Sequence, residues 1–123
     1  MKTDNATSPA QSASENNASG IMAGPPTHII FGGIANPQRV RKGNDFQLDI
    51  AAQLVDSNGS QVPSGGGMWT TSTPGASISP LAGDMNGRFI LRNVQASTII
   101  RVTVSSVTYS SISASLSIDL IAF

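Results

Sequence analysis

From Thr27 onward, apolar and polar residues alternate with a period of two. In DFQLDIAAQLVD, Phe46, Leu48, Ile50, Ala52 and Leu54 fall on one side, and Asp45, Gln47, Asp49 and Gln53 on the other. TIIRVTVSS sets Ile100, Val102 and Val104 against Arg101, Thr103 and Ser105. SISASLSIDLIAF sets Ile112, Ala114, Leu116, Ile118 and Leu120 against four alternate serines from Ser111 to Ser117 and then Asp119. A strand gives this period when one face packs and the other is wet. No window holds a 3.6-residue period, so essentially no helix is expected. DSNG (Asp56 to Gly59) and DMNG (Asp84 to Gly87) read as Asn-Gly turns, which supply the positive φ of tight hairpins. Pro37, Pro63, Pro74 and Pro80 fall between the apolar runs. Strands are expected at 27–34, 45–55, 67–72, 76–79, 87–93, 98–106 and 111–122. About seven short strands with regular turns predict an all-β fold, an antiparallel β-sandwich. Its core should hold Phe46, Leu48, Ile50, Trp69, Val102 and Leu116. The last strand should pair with 98–106, and its serine-lined face guards an edge poorly.

The first 26 residues have a different character. Ser, Asn, Ala and Thr dominate, and after Met1 no large apolar residue occurs before Ile21 and Met22. Such a segment buries too little surface to offset its ordering entropy. It reads as a polar N-terminal arm, bounded by GPP at Gly24 to Pro26, preceding a sandwich domain at 27–123. A partner is expected to order the arm, with Ile21 and Met22 as its apolar contacts. The chain opens on Met1 with no apolar run behind Lys2, so a whole gene product without a Sec-type leader is expected. No stretch approaches the ~20 apolar residues of a spanning helix, so no membrane insertion is expected.

Charge narrows the partners. Seven Lys plus Arg balance seven Asp plus Glu, and charged residues make up 11% of the chain. No single-sign field is available to bind nucleic acid. The one basic cluster is QRVRKGND, with Arg39, Arg41 and Lys42. It reads as a solvated loop, or as a docking contact for an acidic protein surface.

Candidate chemistry is sparse. Without cysteine there is neither disulfide nor thiolate site, and His28 is the single histidine. No serine sits in a G-x-S-x-G elbow and no carboxylates are paired in sequence, so no converging catalytic set is visible. Neither an enzyme nor a cofactor is expected. SGGGMWTTS raises a binding question, because glycines can cradle phosphate and Trp69 can stack a ligand. No Lys-Ser/Thr follows the glycines and no helix follows them, so a joint before a strand and a core tryptophan are the better reading. DSNGSQVPSGGG opens like a calcium loop but has Gln61 and Gly67 where that loop needs Gly and Glu, which favours a turn.

Taken in order, GNDFQLDIAAQLVDSNGSQVP, MWTTSTPGASIS and GRFILRNVQASTIIRVTVSS resemble a bacterial immunoglobulin-like domain. That family occurs in intimin- and invasin-type adhesins and in tailed-phage structural proteins. Gly43, Asp56, Gly59, Trp69, Ala76, Ile78, Gly87, Ile100, Val102 and Val104 carry the resemblance, over residues 27 to 123. It implies an immunoglobulin-like sandwich. A single module without an array favours a virion role: a capsid decoration or accessory protein on the capsid surface, touching the major capsid protein, another virion protein or sister copies. The alternatives are a cell-surface adhesin or carbohydrate-binding module, with weak glycan binding, and a self-polymerising fibre subunit. Fold alone decides none of these.

Overall fold

A computed structural model describes residues 24–82 and 84–123. Among them the chain is all-β, with no helix and nine strands: β1 (Pro26–Phe31), β2 (Gln38–Val40), β3 (Phe46–Ile50), β4 (Ala52–Asp56), β5 (Gly67–Thr71), β6 (Ala76–Pro80), β7 (Gly87–Leu91), β8 (Thr98–Ser106) and β9 (Ser113–Ala122). They form a β-sandwich. One layer has the order β2-β9-β8-β5. The other is built from β1-β4 and β3-β7-β6, with β3 and β4 consecutive across Ala51 alone.

The expected 45–55 strand is therefore two. β3 pairs antiparallel with β7, from Phe46↔Leu91 to Ile50↔Gly87, and β4 pairs antiparallel with β1. The apolar alternation runs through the break, because both halves bury the same side. The 27–34 run stops at Phe31 and leaves Ile34 half-buried in a loop. The 111–122 run begins at Ser113. The fully antiparallel expectation also needs correction. β2, which the alternation did not show, lies parallel to β9, with Gln38↔Leu120, Arg39↔Ile121 and Val40↔Ala122. β8 and β9 pair antiparallel from Thr98↔Leu120 to Ser105↔Ser113.

One apolar core fills the space between the layers. Leu54, Phe89, Ile100, Val104 and Leu120 are fully buried, each contributing roughly 1.5–3 kcal/mol by burial. Phe46 meets Phe89 edge-on at 6.3 Å between ring centroids. Ile50 and Val102 are also buried, whereas Leu48 and Leu116 are half-buried against the cluster.

The two Asn-Gly sequences behave differently. Gly59 takes a φ of 83°, as a tight turn requires. Gly87 has no left-handed φ: it is the first residue of β7, and Pro80 faces it across the β6–β7 pair. DMNG is thus the end of a longer connection, closed by Leu81 N–H on the Asn86 carbonyl at 2.8 Å.

Candidate functional site

The glycine-tryptophan stretch resolves first. Trp69 lies on β5 opposite Val104 and is buried, its ring 6.3 Å from Phe31. A Cβ on Gly87 would lie 2.6–2.9 Å from the indole, and one on Gly67 would lie 3.0 Å from its Nε1. The two glycines therefore let flanking backbone close over the ring, and no open face is left for a ligand. Nε1 is itself buried and meets no acceptor among the described residues. Gly65 and Gly66 hold φ of 73° and 108° and make a fixed turn. Gly66 N–H donates to Ser64 Oγ, and its carbonyl accepts from Val107 N–H at 3.0 Å.

DSNG is organised by Asp56. Its buried carboxylate accepts from Gly24 N–H at 2.8 Å, Asn58 N–H at 2.9 Å and Ser60 N–H at 3.0 Å. The Gly24 and Ser60 bonds hold its pKa below the ordinary 3.8. Both oxygens are committed to backbone donors, which makes an Asx-type turn and fixes the chain where it enters β1.

Three loops converge beyond this turn. Ser64 Oγ donates to Asp84 Oδ1 at 2.7 Å, and Gln61 Nε2 lies 3.5 Å from Asp84 Oδ2. Ser106 Oγ donates to the Ser64 carbonyl at 2.7 Å and accepts from Tyr109 N–H. Ser64 and Ser106 are fully buried, so this network is rigid, while Tyr109 and Val107 stand exposed on its rim. The sequence marked two of these loops as turns and a joint, but not their meeting. Their convergence was not visible because the bonds join residues far apart in the chain.

The basic cluster lies at the opposite end of β9. The guanidinium carbons of Arg39 and Arg41 stand 4.9 Å and 5.1 Å from the centre of the Phe123 ring. Lys42 N–H donates to the Phe123 carbonyl at 2.8 Å, and Phe123 N–H donates to the Val40 carbonyl at 3.0 Å. Two guanidinium groups are thus held on the Phe123 ring, and Lys42 is tied to the same residue through its backbone. Phe123, which sequence reading did not single out, organises them.

His28 is exposed, with Nδ1 2.8 Å from Thr27 Oγ1. Arg88 grips Asp49 through two bonds of 2.8 Å and 3.1 Å on the outer face of β3 and β7. That contact draws the Asp49 carboxyl below its ordinary value and raises the guanidinium. Among the described residues, no three His, Cys, Asp or Glu side chains come together as a metal-holding group. Ile21, Met22 and the rest of the segment up to residue 23 lie outside the described residues.

The geometry defines a β-sandwich with a basic-aromatic corner at one end and a rigid three-loop rim at the other. No protein-family model matches the chain. A search of curated proteins likewise finds no matching relative.

Proposed function

We propose that the chain is an immunoglobulin-like, non-enzymatic structural protein of a virion: a decoration or accessory protein on a tailed-phage capsid, held to the lattice through residues 1–26. The strand order supports the immunoglobulin likeness. One layer runs β1, β4/β3, β7, β6 and the other β2, β9, β8, β5. This corresponds to the A-B-E-D and C-F-G layers of that fold, with the first strand divided between them. The observation that carries a lattice contact beside that anchor is the corner of Arg39 and Arg41 on the Phe123 ring, with Lys42 bonded to Phe123 through its backbone. In a chain of zero net charge it is a fixed cationic surface, suited to an acidic face of a lattice protein. Mass spectrometry of purified particles tests the proposal: the chain should be present at structural copy number, and its absence from intact virions refutes it.

The three-loop rim favours a second reading, a module binding a neutral glycan at a cell surface. Tyr109 would stack on a sugar ring beside Asp84 and Gln61. A glycan array separates the two. Binding by the isolated chain that is lost in Tyr109→Ala supports the glycan module, and a null array favours the virion role.

A further inference from the structure

Among the described residues, the outer edge of β9 is open over most of its length. β2 covers only its last residues, 120–122. Strand geometry shows which groups are left free. Asp119 N–H donates to Asn36 Oδ1, and Phe123 N–H to the Val40 carbonyl, both on the side away from β8. Ala122 N–H donates to Ser97 Oγ, and the Ile112 carbonyl accepts from Ser106 N–H, both towards β8. Backbone groups alternate sides along a strand. Ser113, Ser115 and Ser117 therefore aim both N–H and C=O at the open edge, and no described residue pairs with them. Their side chains are exposed on the outer face.

The other edges are guarded or short. β1 opens on Pro26, with a register shift before His28. β6 ends on Pro80, β2 has three residues, and β5 at the far edge of the same sheet has five. β9 has ten residues and neither Pro nor Lys, the usual guards of an edge.

We propose that a second copy of this chain occupies the edge, with β9 pairing antiparallel to β9 about a two-fold axis at Ser115. The sequence is self-complementary in this register. Ser115 faces the partner's Ser115, and Ser113 faces the partner's Ser117, so every free edge group at these positions finds a mate. On the inner side, Ala114 faces the partner's Leu116, and Ile112 faces the partner's Ile118. Ile112, Ala114 and Leu116 are the half-buried residues at this margin of the core, and pairing covers them. Asp119 meets the partner's Ser111, so no like charges oppose one another. Asn36 and β2 end the free edge at Asp119, which closes the assembly as a dimer instead of a fibre.

The chain has no cysteine, which gives a direct test. Cα atoms of a hydrogen-bonded antiparallel pair lie about 5.5 Å apart, within the roughly 4.4–6.8 Å span of a disulfide. Full-length Ser115→Cys should therefore form a covalent dimer on mild oxidation. Thr70→Cys, exposed on β5 at the far edge of the same sheet, should react far more slowly. By analytical ultracentrifugation the full chain should dimerise reversibly, and Ser115→Lys, which opposes two cations on the axis, should sediment as a monomer with unchanged melting. The proposal is overturned by a full chain that stays monomeric at high concentration, by Ser115→Cys cross-linking no faster than Thr70→Cys, or by a dimer that survives Ser115→Lys. A monomeric full chain whose deletion of residues 1–22 dimerises would assign the edge to the N-terminal residues, which also overturns it. None of these outcomes bears on presence in virions, so the two proposals fail separately.

Discussion

The contact between Trp69 and Gly87 shows how much one hydrogen atom can decide. Gly87 has ordinary strand φ, so its glycine identity is a matter of space: a Cβ there would press into the indole at 2.6 Å. Gly87→Ala should cost roughly 1–3 kcal/mol by overpacking. Trp69→Ala should cost roughly 3–5 kcal/mol, because it empties the centre of the core. In a Trp69→Phe background the Gly87→Ala penalty should shrink, and urea melts of the double-mutant cycle would measure that coupling. If Gly87→Ala costs the same in both backgrounds, the packing account is wrong. Asp56 acts differently, through charge. Its carboxyl is held below its ordinary 3.8 by backbone N–H bonds, chiefly from Gly24 and Ser60. A lowered folded-state pKa adds stability that is present above the ordinary value and lost as pH falls through the lowered one. Acid melting below about pH 4 should therefore flatten in Asp56→Asn. The slope that remains belongs in part to Asp49, held low by Arg88. A variant whose melting falls as steeply as the wild type below that pH refutes this role for Asp56. The turn role of DSNG was legible in the sequence, because Asx turns are local. The Gly87 contact was not, because its partner lies eighteen residues away in another layer.

At the scale of elements, alternation exposed those strands whose two faces differ. β8 and β9 are long and regular, and their expected pairing is present throughout. The division of 45–55 into β3 and β4 was invisible for a physical reason. Alternation records which face is buried, whereas the break at Ala51 concerns which neighbour accepts the hydrogen bonds. β2 was missed because only Val40 of its three residues is buried and its ladder is supplied by β9. The same dependence makes a prediction. β2 is tied to β9 through Phe123, by two backbone bonds and two cation–π contacts. Deleting Phe123 should raise amide exchange at Val40 and Lys42 by at least about tenfold while leaving β8 protected, a local opening rather than global unfolding. Uniform loss of protection across β8 would show instead that the corner supports the whole sandwich.

At the margin of the sandwich, one strand crosses between layers and another changes neighbour within its layer. The first strand leaves β4 after Phe31 and resumes on β9 as β2, and the chain passes from β7 to β1 as a neighbour across Ala51. The crossing from β1 to β2 closes the sandwich at one margin but leaves the first half of β9 without a mate among the described residues, since β1 has stayed in the facing layer. Stability is expected to reside in the sandwich. The core cluster draws on every strand, β6 through the half-buried Ala76 and Ile78, and the first side-chain contact among the described residues is Gly24 N–H on Asp56. A variant lacking residues 1–22 keeps that contact. It should unfold cooperatively with a stability within about 0.5 kcal/mol of the full chain, the range of surface changes. The same variant should lose binding to purified particles, because in the proposed role residues 1–26 are the anchor and the sandwich is what they carry. Particle co-sedimentation and chemical denaturation of one sample read the two effects together. Retained binding places the anchor on the sandwich itself, with Arg39, Arg41 and Lys42 as the residues to reverse next. A large loss of stability shows that the N-terminal residues contribute to the fold, and the boundary at Gly24 would then have to move.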